Sequence, residues 1–171
     1  PARKTEHDTS KQVWPPGTLL SPVPAVLVSS VAPDGTPNIA TVAWTGTVCS
    51  DPPMVSVSLR EATYSHGLIK NGREFVVNVP TADITSLVDF CGVASGRDTD
   101  KFRETGLTPL PASKVKPPVI AECAVSLECK VRRTLDLGSH TMFLGQIVAV
   151  QVSKEFITPS GRLALERAGL A

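Results

Sequence analysis

Apolar and polar residues alternate in short runs along most of the chain, the period-2 pattern of strands with one buried face. Ala25 to Val31 is rich in β-branched residues, Pro33-Asp34-Gly35 supplies turn chemistry, and Asn38 to Trp44 resumes the run, which predicts a β-hairpin. Cys49-Ser50-Asp51-Pro52-Pro53 predicts a loop, because two successive prolines cannot donate ladder hydrogen bonds. The strand expected at Met54 to Arg60 places Val55, Val57 and Leu59 on one face and Ser56, Ser58 and Arg60 on the other. Thr63 to Asn71 reads as a short helix ending at Gly72, and Phe75 to Val79 as a strand stopped by Pro80. Thr81 is placed to cap a helix reaching Cys91, and Asp98 to start a shorter one holding Lys101 and Phe102.

The clearest alternation comes later. Cys123, Val125, Leu127, Cys129 and Val131 oppose Glu122, Ser126, Glu128 and Lys130, which predicts a strand with one wet face. Thr141 to Val152 is apolar on both faces, as expected for a strand with a core on one side and a helix or second subunit on the other. Many short strands with brief helices between them predict a mainly β barrel or sandwich rather than a βαβ series. Residues 1–24, punctuated by Pro15, Pro16, Pro22 and Pro24, are expected to wrap the surface, leaving 25–171 as one domain.

Composition narrows the function classes. With 17 basic and 16 acidic residues the net charge is +1, so no broad field recruits nucleic acid or an anionic membrane. No apolar run approaches a membrane span and the polar start is unlike a signal peptide, which predicts a cytoplasmic protein. The four cysteines show neither metal-ligand spacing nor disulfide density, so free thiols and no metal are expected. GxGxxG, GxxxxGK[ST], HExxH and GxSxG are all missing, which lowers the common dinucleotide, phosphate-loop, zinc and serine-hydrolase readings.

The remaining chemistry is a polar cluster: Ser56, Ser58 and Arg60, then Thr63 and Ser65 at the start of a helix. Hydroxyls, a guanidinium and free helix N–H groups suit a phosphate monoester, although a solvated edge strand beside a capping threonine has the same pattern. Asn38 and Thr41 need partners in a half-buried strand, and a heterocycle or ordinary ladder chemistry would supply them. Lys101 reads alone as a solvated helical charge paired with Asp98, and His140 sits at a turn after Gly138-Ser139.

Taken together, Asn38-Ile39-Ala40-Thr41-Val42-Ala43-Trp44, Cys49-Ser50-Asp51-Pro52-Pro53, Ser56-Val57-Ser58-Leu59-Arg60, Thr63-Tyr64-Ser65 and Leu137-Gly138-Ser139-His140-Thr141 resemble the flavin reductase-like family, its flavoredoxin branch most closely. The resemblance runs from about Pro22 to Val152. It implies an FMN-binding, Greek-key split β-barrel with short peripheral helices, and a homodimer with flavin near the subunit interface. Carried over by position, Asn38, Thr41, Trp44, Cys49 and Ser50 correspond to the ring and ribityl side of the pocket. Ser58, Arg60, Thr63, Ser65 and Lys101 correspond to the phosphate side. His140 corresponds to the histidine of the family's Gly-Asp-His motif, which lies near flavin and nicotinamide. Here Ser139 stands where that motif has aspartate. The family also continues past a segment like Arg162 to Ala171 into an aromatic-rich stretch, without which one side of the pocket would be open.

Three functions follow as expectations. The first is hydride transfer from NAD(P)H to bound flavin, with His140 orienting the nicotinamide or polarising the flavin. The second is an FMN electron carrier reduced by a partner protein, which the loss of the motif's aspartate favours. The third is a flavin-free binding scaffold.

Overall fold

The computed structural model describes residues 10–170. Residues 1–9 of the expected N-terminal segment, and Ala171, lie outside the described residues. Seven strands form one antiparallel sheet in the order β2-β1-β5-β8-β9-β4-β3, and β6 with β7 forms a separate two-stranded ribbon. The strands are β1 (Val26–Val31), β2 (Pro37–Val42), β3 (Thr45–Ser50), β4 (Pro53–Leu59), β5 (Glu74–Pro80), β6 (Pro109–Leu110), β7 (Val119–Ile120), β8 (Cys123–Asp136) and β9 (Thr141–Val152). β5 follows β4 in the chain yet pairs with β1 and β8, the long return of a Greek key.

The predicted alternation makes the barrel. Val26, Val28, Val42, Val55, Val57, Leu59, Phe75, Val77, Cys129, Val131 and Phe143 point inward from six strands and form one buried cluster. Helix α1 (Tyr64–Gly72) adds Ile69 to that cluster. A second cluster packs Ile84, Val88 and Cys91 of the next helical segment, with Phe102, against Leu27 and Ile39 on the outward face of β1 and β2. β2 and β3, the two sheet edges, are joined through Ala43-Trp44. The Ser58 N–H donates to the Trp44 carbonyl at 2.9 Å, which draws that end of the barrel together.

Several expectations are corrected. The loop over Cys49 to Pro53 is smaller than predicted: Cys49 and Ser50 belong to β3, and the reversal is confined to Asp51 and Pro52. Two prolines satisfy their lack of donors at a tight turn as well as in a long loop. The helix at Thr81 starts as a 3₁₀ turn, Ala82–Ile84, before α2 (Thr85–Val93). Asp100 caps α3 (Lys101–Thr105), in place of Asp98, by accepting from the Arg103 N–H at 3.2 Å.

The polar face of β8 is also wet only toward Lys130, which is exposed, and not at its centre. Ser126 is buried and donates to Asn78, and Glu128 is 0% exposed. The Glu128 carboxylate accepts from Ser113 N–H and Oγ at 2.9 Å, Lys114 N–H at 2.6 Å and Gln151 Nε2 at 2.9 Å. A proline-flanked loop folds back over this face and supplies donors that β8 alone lacks. Despite its desolvation, these hydrogen bonds hold the carboxyl below the ordinary glutamate value.

Candidate functional site

α1 is preceded by Thr63 in extended backbone, the usual place for a capping hydroxyl. Here Thr63 Oγ1 instead donates to the Arg60 carbonyl at 2.8 Å, and no side chain caps the helix. The first amides of α1 therefore have no capping side-chain acceptor, and they sit at the positive end of the helix dipole.

This helix end borders a cavity of about 260 Å³. Its walls come from Ala40 and Thr41 on β2, from Thr63, Tyr64 and Ser65, and from the small-residue run Cys91 to Arg97, with Lys101 beside them. Lys101 is only 5% exposed. Its Nζ donates to the Ile39 carbonyl at 2.8 Å and the Cys91 carbonyl at 2.7 Å. An ammonium has three protons, so one remains for a ligand. Burial pulls the Lys101 ammonium below the ordinary lysine value and pushes the Cys91 thiol up. The solvated helical lysine considered from sequence is thus overturned, because its charge is enclosed beside the cavity.

The other predicted residues fall into three groups. Thr41, Thr63, Ser65 and Lys101 meet at the cavity. Asn38 stands behind them: it is buried and donates to Ser65 Oγ at 2.7 Å. Thr41 Oγ1 is itself engaged, donating to the Val88 carbonyl of α2. Arg60 is exposed directly after Leu59, a wall residue, and Ser58 lies one position earlier on β4. Trp44 and His140 form a separate pair, with ring centroids 4.5 Å apart and a 36° tilt. His140 ends the β8–β9 turn, and its Nδ1 is 2.9 Å from Ser139 Oγ. Cys49 and Ser50 reach neither group within one chain. They lie four and five residues beyond Thr45 along β3, about 13 Å or more at strand spacing. Cys49 Sγ contacts the Asp51 carbonyl at 3.4 Å.

Three contributors were missed from sequence. Arg97 donates to the Ala62 carbonyl at 2.9 Å and lies 5.7 Å from the Tyr64 ring centroid, at the cavity wall. Gly96 packs so closely on Asn38 that an added Cβ would sit 1.9 Å from Asn38 Oδ1. His66 is buried on α1, its Nε2 3.0 Å from Thr141 Oγ1 and its ring edge-on to Phe143. It links the helix of the cavity to the residue after His140. Burial, aided by Lys70, pulls its imidazole below the ordinary histidine value. The run Cys91-Gly92-Val93-Ala94-Ser95-Gly96-Arg97 carried the missing signal, since small residues before an arginine permit close approach of backbone and ligand.

A larger cavity, about 530 Å³, lies at the other end of α1, against Leu68, Asn71, Gly72 and Glu74. Its charged lining is one carboxylate and one ammonium, Glu74 and Lys116, and the uncapped helix end is absent there. The smaller cavity has the convergent donors.

Comparison with known proteins agrees with this geometry. A family described as "Flavin reductase like domain" matches residues 19–163. The chain belongs to the flavin reductase-like family. Its structure superposes on flavoredoxin of Desulfovibrio vulgaris (Miyazaki F) with a TM-score of 0.86 and 33% identity, covering 93% of this chain and 85% of that one. An uncharacterized protein of Archaeoglobus fulgidus is 38% identical over 67% of this chain and 64% of its own length. The reductase component of 4-nitrophenol 4-monooxygenase/4-nitrocatechol 2-monooxygenase from Rhodococcus opacus is 29% identical over 74% of this chain and 64% of its own. The chain thus spans somewhat less than two thirds of these last two relatives. The mainly β barrel read from alternation, and the split barrel that the resemblance implied, both agree with this membership.

Proposed function

We propose that this flavin reductase-like protein is an oxidoreductase that holds FMN and takes hydride from NAD(P)H. The observation that carries the reading is the uncapped first turn of α1 beside a buried ammonium with one proton unused. Together these fit a phosphate monoester: the helix amides and the Ser65 hydroxyl, which accepts from Asn38 and keeps its own proton, suit its oxygens, and Lys101 offsets its charge. Arg60 and Arg97 add positive charge nearby. Trp44 would hold the ring side and exclude water from one face, with His140 beside it toward the incoming nicotinamide.

When bound, the flavin supplies a hydride acceptor, and the protein's task is placement. His140 Nδ1 is occupied by Ser139, which leaves Nε2 for an incoming nicotinamide or flavin carbonyl. The test begins with the visible spectrum of the purified protein and identification of the released chromophore. Anaerobic addition of NADH or NADPH should then bleach the flavin band within the dead time of hand mixing. A colourless protein that does not bind added FMN would select the scaffold reading.

A second reading is an electron carrier that keeps FMN and is reduced by a partner protein. It is favoured by Ser139, a neutral residue where the family motif has aspartate, and by the likeness to flavoredoxin. Flavin that resists both nicotinamides yet is reduced by dithionite would select it.

The same proposal includes a cytoplasmic homodimer. Free cysteines at all four positions suit a reducing compartment, and among the described residues no helix is long and apolar enough to cross a membrane. β9 carries no charged residue over twelve positions, which suits a subunit contact.

A further inference from the structure

Two surfaces of this chain look unfinished, and both are uncharged. The first is the N-terminal segment. From Gln12 to Pro24 it has no charged residue, joins no helix or strand, and is exposed throughout. Val13 is 96% exposed, Trp14 69% and Leu20 84%. A polar tail would carry charge and avoid such side chains, whereas this sequence has the composition of a contact surface. The segment meets the barrel at its C-terminal root, where Thr18, Leu20 and Val23 line an apolar groove of about 310 Å³ with Ala43, Trp44 and Thr45. Trp14 and Val13, four and five residues before Thr18, can therefore reach about 13–18 Å from that root when extended.

The second surface is the far half of β9. On one side β9 pairs with β8 as far as Val152, but on the other β4 stops at the Met54↔Gln146 pair. Pro52 and Pro53 prevent β4 from continuing. Ile147 to Val152 is left with one strand edge unpaired among the described residues. That edge reads Ile-Val-Ala-Val-Gln-Val, with Val150 54% exposed and neither lysine nor proline to guard it. An unguarded neutral edge of this length is a site where an apolar segment can lie.

We propose that the N-terminal arm of one copy lies along the free β9 edge of a second copy, with Val13 and Trp14 covering Val150. This rests on the homodimer reading above and deepens it. Both halves of the contact are encoded in one chain, so a two-fold dimer satisfies each arm and each edge once. Because the arm's root walls the groove beside Trp44, the contact also ties dimerisation to the site: an arm held by the partner fixes the groove that Leu20 and Val23 shape.

Complementation between two full-length variants, each purified with FMN, tests it by sedimentation equilibrium. Trp14→Asp spoils the arm and Val150→Asp spoils the edge, both at exposed positions, and circular dichroism checks that each stays folded. Each variant alone should dimerise at least about tenfold more weakly than the parent. Their equimolar mixture should form a heterodimer tighter than either homodimer, because one intact arm meets one intact edge. A mixture no tighter than its components would overturn the exchange. So would an unaffected Trp14→Asp dimer beside a dissociated Val150→Asp, which would mean that the edges pair with each other. A parent protein that is monomeric at every concentration would overturn both this contact and the homodimer reading, whatever its flavin content.

Discussion

Lys101 Nζ donates to the Ile39 carbonyl at 2.8 Å, so a charge from α3 fastens β2 from behind the cavity wall. The same ammonium holds the Cys91 carbonyl in the last turn of α2. Lys101→Met keeps most of the stem's packing but leaves both carbonyls without a donor. Each unpaired buried acceptor costs about 1–3 kcal/mol. Urea unfolding should therefore show a loss in that range or above it, and titration with FMN should show affinity lower by about tenfold or more. Unchanged FMN affinity in a folded variant would remove Lys101 from the phosphate side.

His140→Ala separates placement from binding. The imidazole stacks on Trp44 and lies outside the cavity, so FMN affinity should stay within about threefold while kcat/KM for NAD(P)H falls by about tenfold or more. Stopped-flow flavin bleaching reads the rate and fluorescence quenching reads the affinity. Full NAD(P)H oxidation rates in the variant would refute the assigned role.

Gly96→Ala probes the cavity wall without touching a charged group. Its Cβ would collide with Asn38 Oδ1 and press on Tyr64, and Asn38 is the residue that holds Ser65. Overpacking of this kind costs about 1–3 kcal/mol. We expect a lower melting temperature together with weakened FMN binding, both measured on the same preparation.

His66 gives stability a pH dependence whose sign is set by its lowered folded value. Between that value and the ordinary 6.5 the unfolded chain binds more protons, so stability rises with pH through this window. The contribution is complete above pH 6.5 and is lost as pH falls through the folded value. Urea midpoints should drop between pH 7.5 and pH 5.5, and His66→Gln should flatten that drop. Glu128, also lowered, acts in a separate window below 4.5.

Glu128→Ala would leave four donors facing a closed space. We expect a destabilisation on the order of 3 kcal/mol, with faster amide exchange at Ser113 and Lys114. Slow exchange at both amides in the variant would show that the loop is held by other contacts.

The strands were legible wherever one face alternated strongly: β9 has the bounds that its apolar run predicts, β1 starts one residue later than expected, and β4 is shifted by one residue at both ends. β3 was not, because Thr-Gly-Thr-Val-Cys-Ser is small and weakly patterned. The face of β8 was misread because a strand's own sequence does not reveal which distant loop returns to cover it. Lys101 failed in the same way: nothing local distinguishes an ammonium in water from one bonded to Ile39 and Cys91. At the site, residues with a hydroxyl or a charge were found, whereas Gly96 was overlooked because its contribution is the absence of a side chain.

Thr63, with its hydroxyl turned back to Arg60, makes the start of α1 depend on what occupies the space before it. Anything that bonds those amides also tightens the native fold by mass action. If the proposed FMN is that occupant, cofactor supply would govern how well the chain resists unfolding as well as how fast it works.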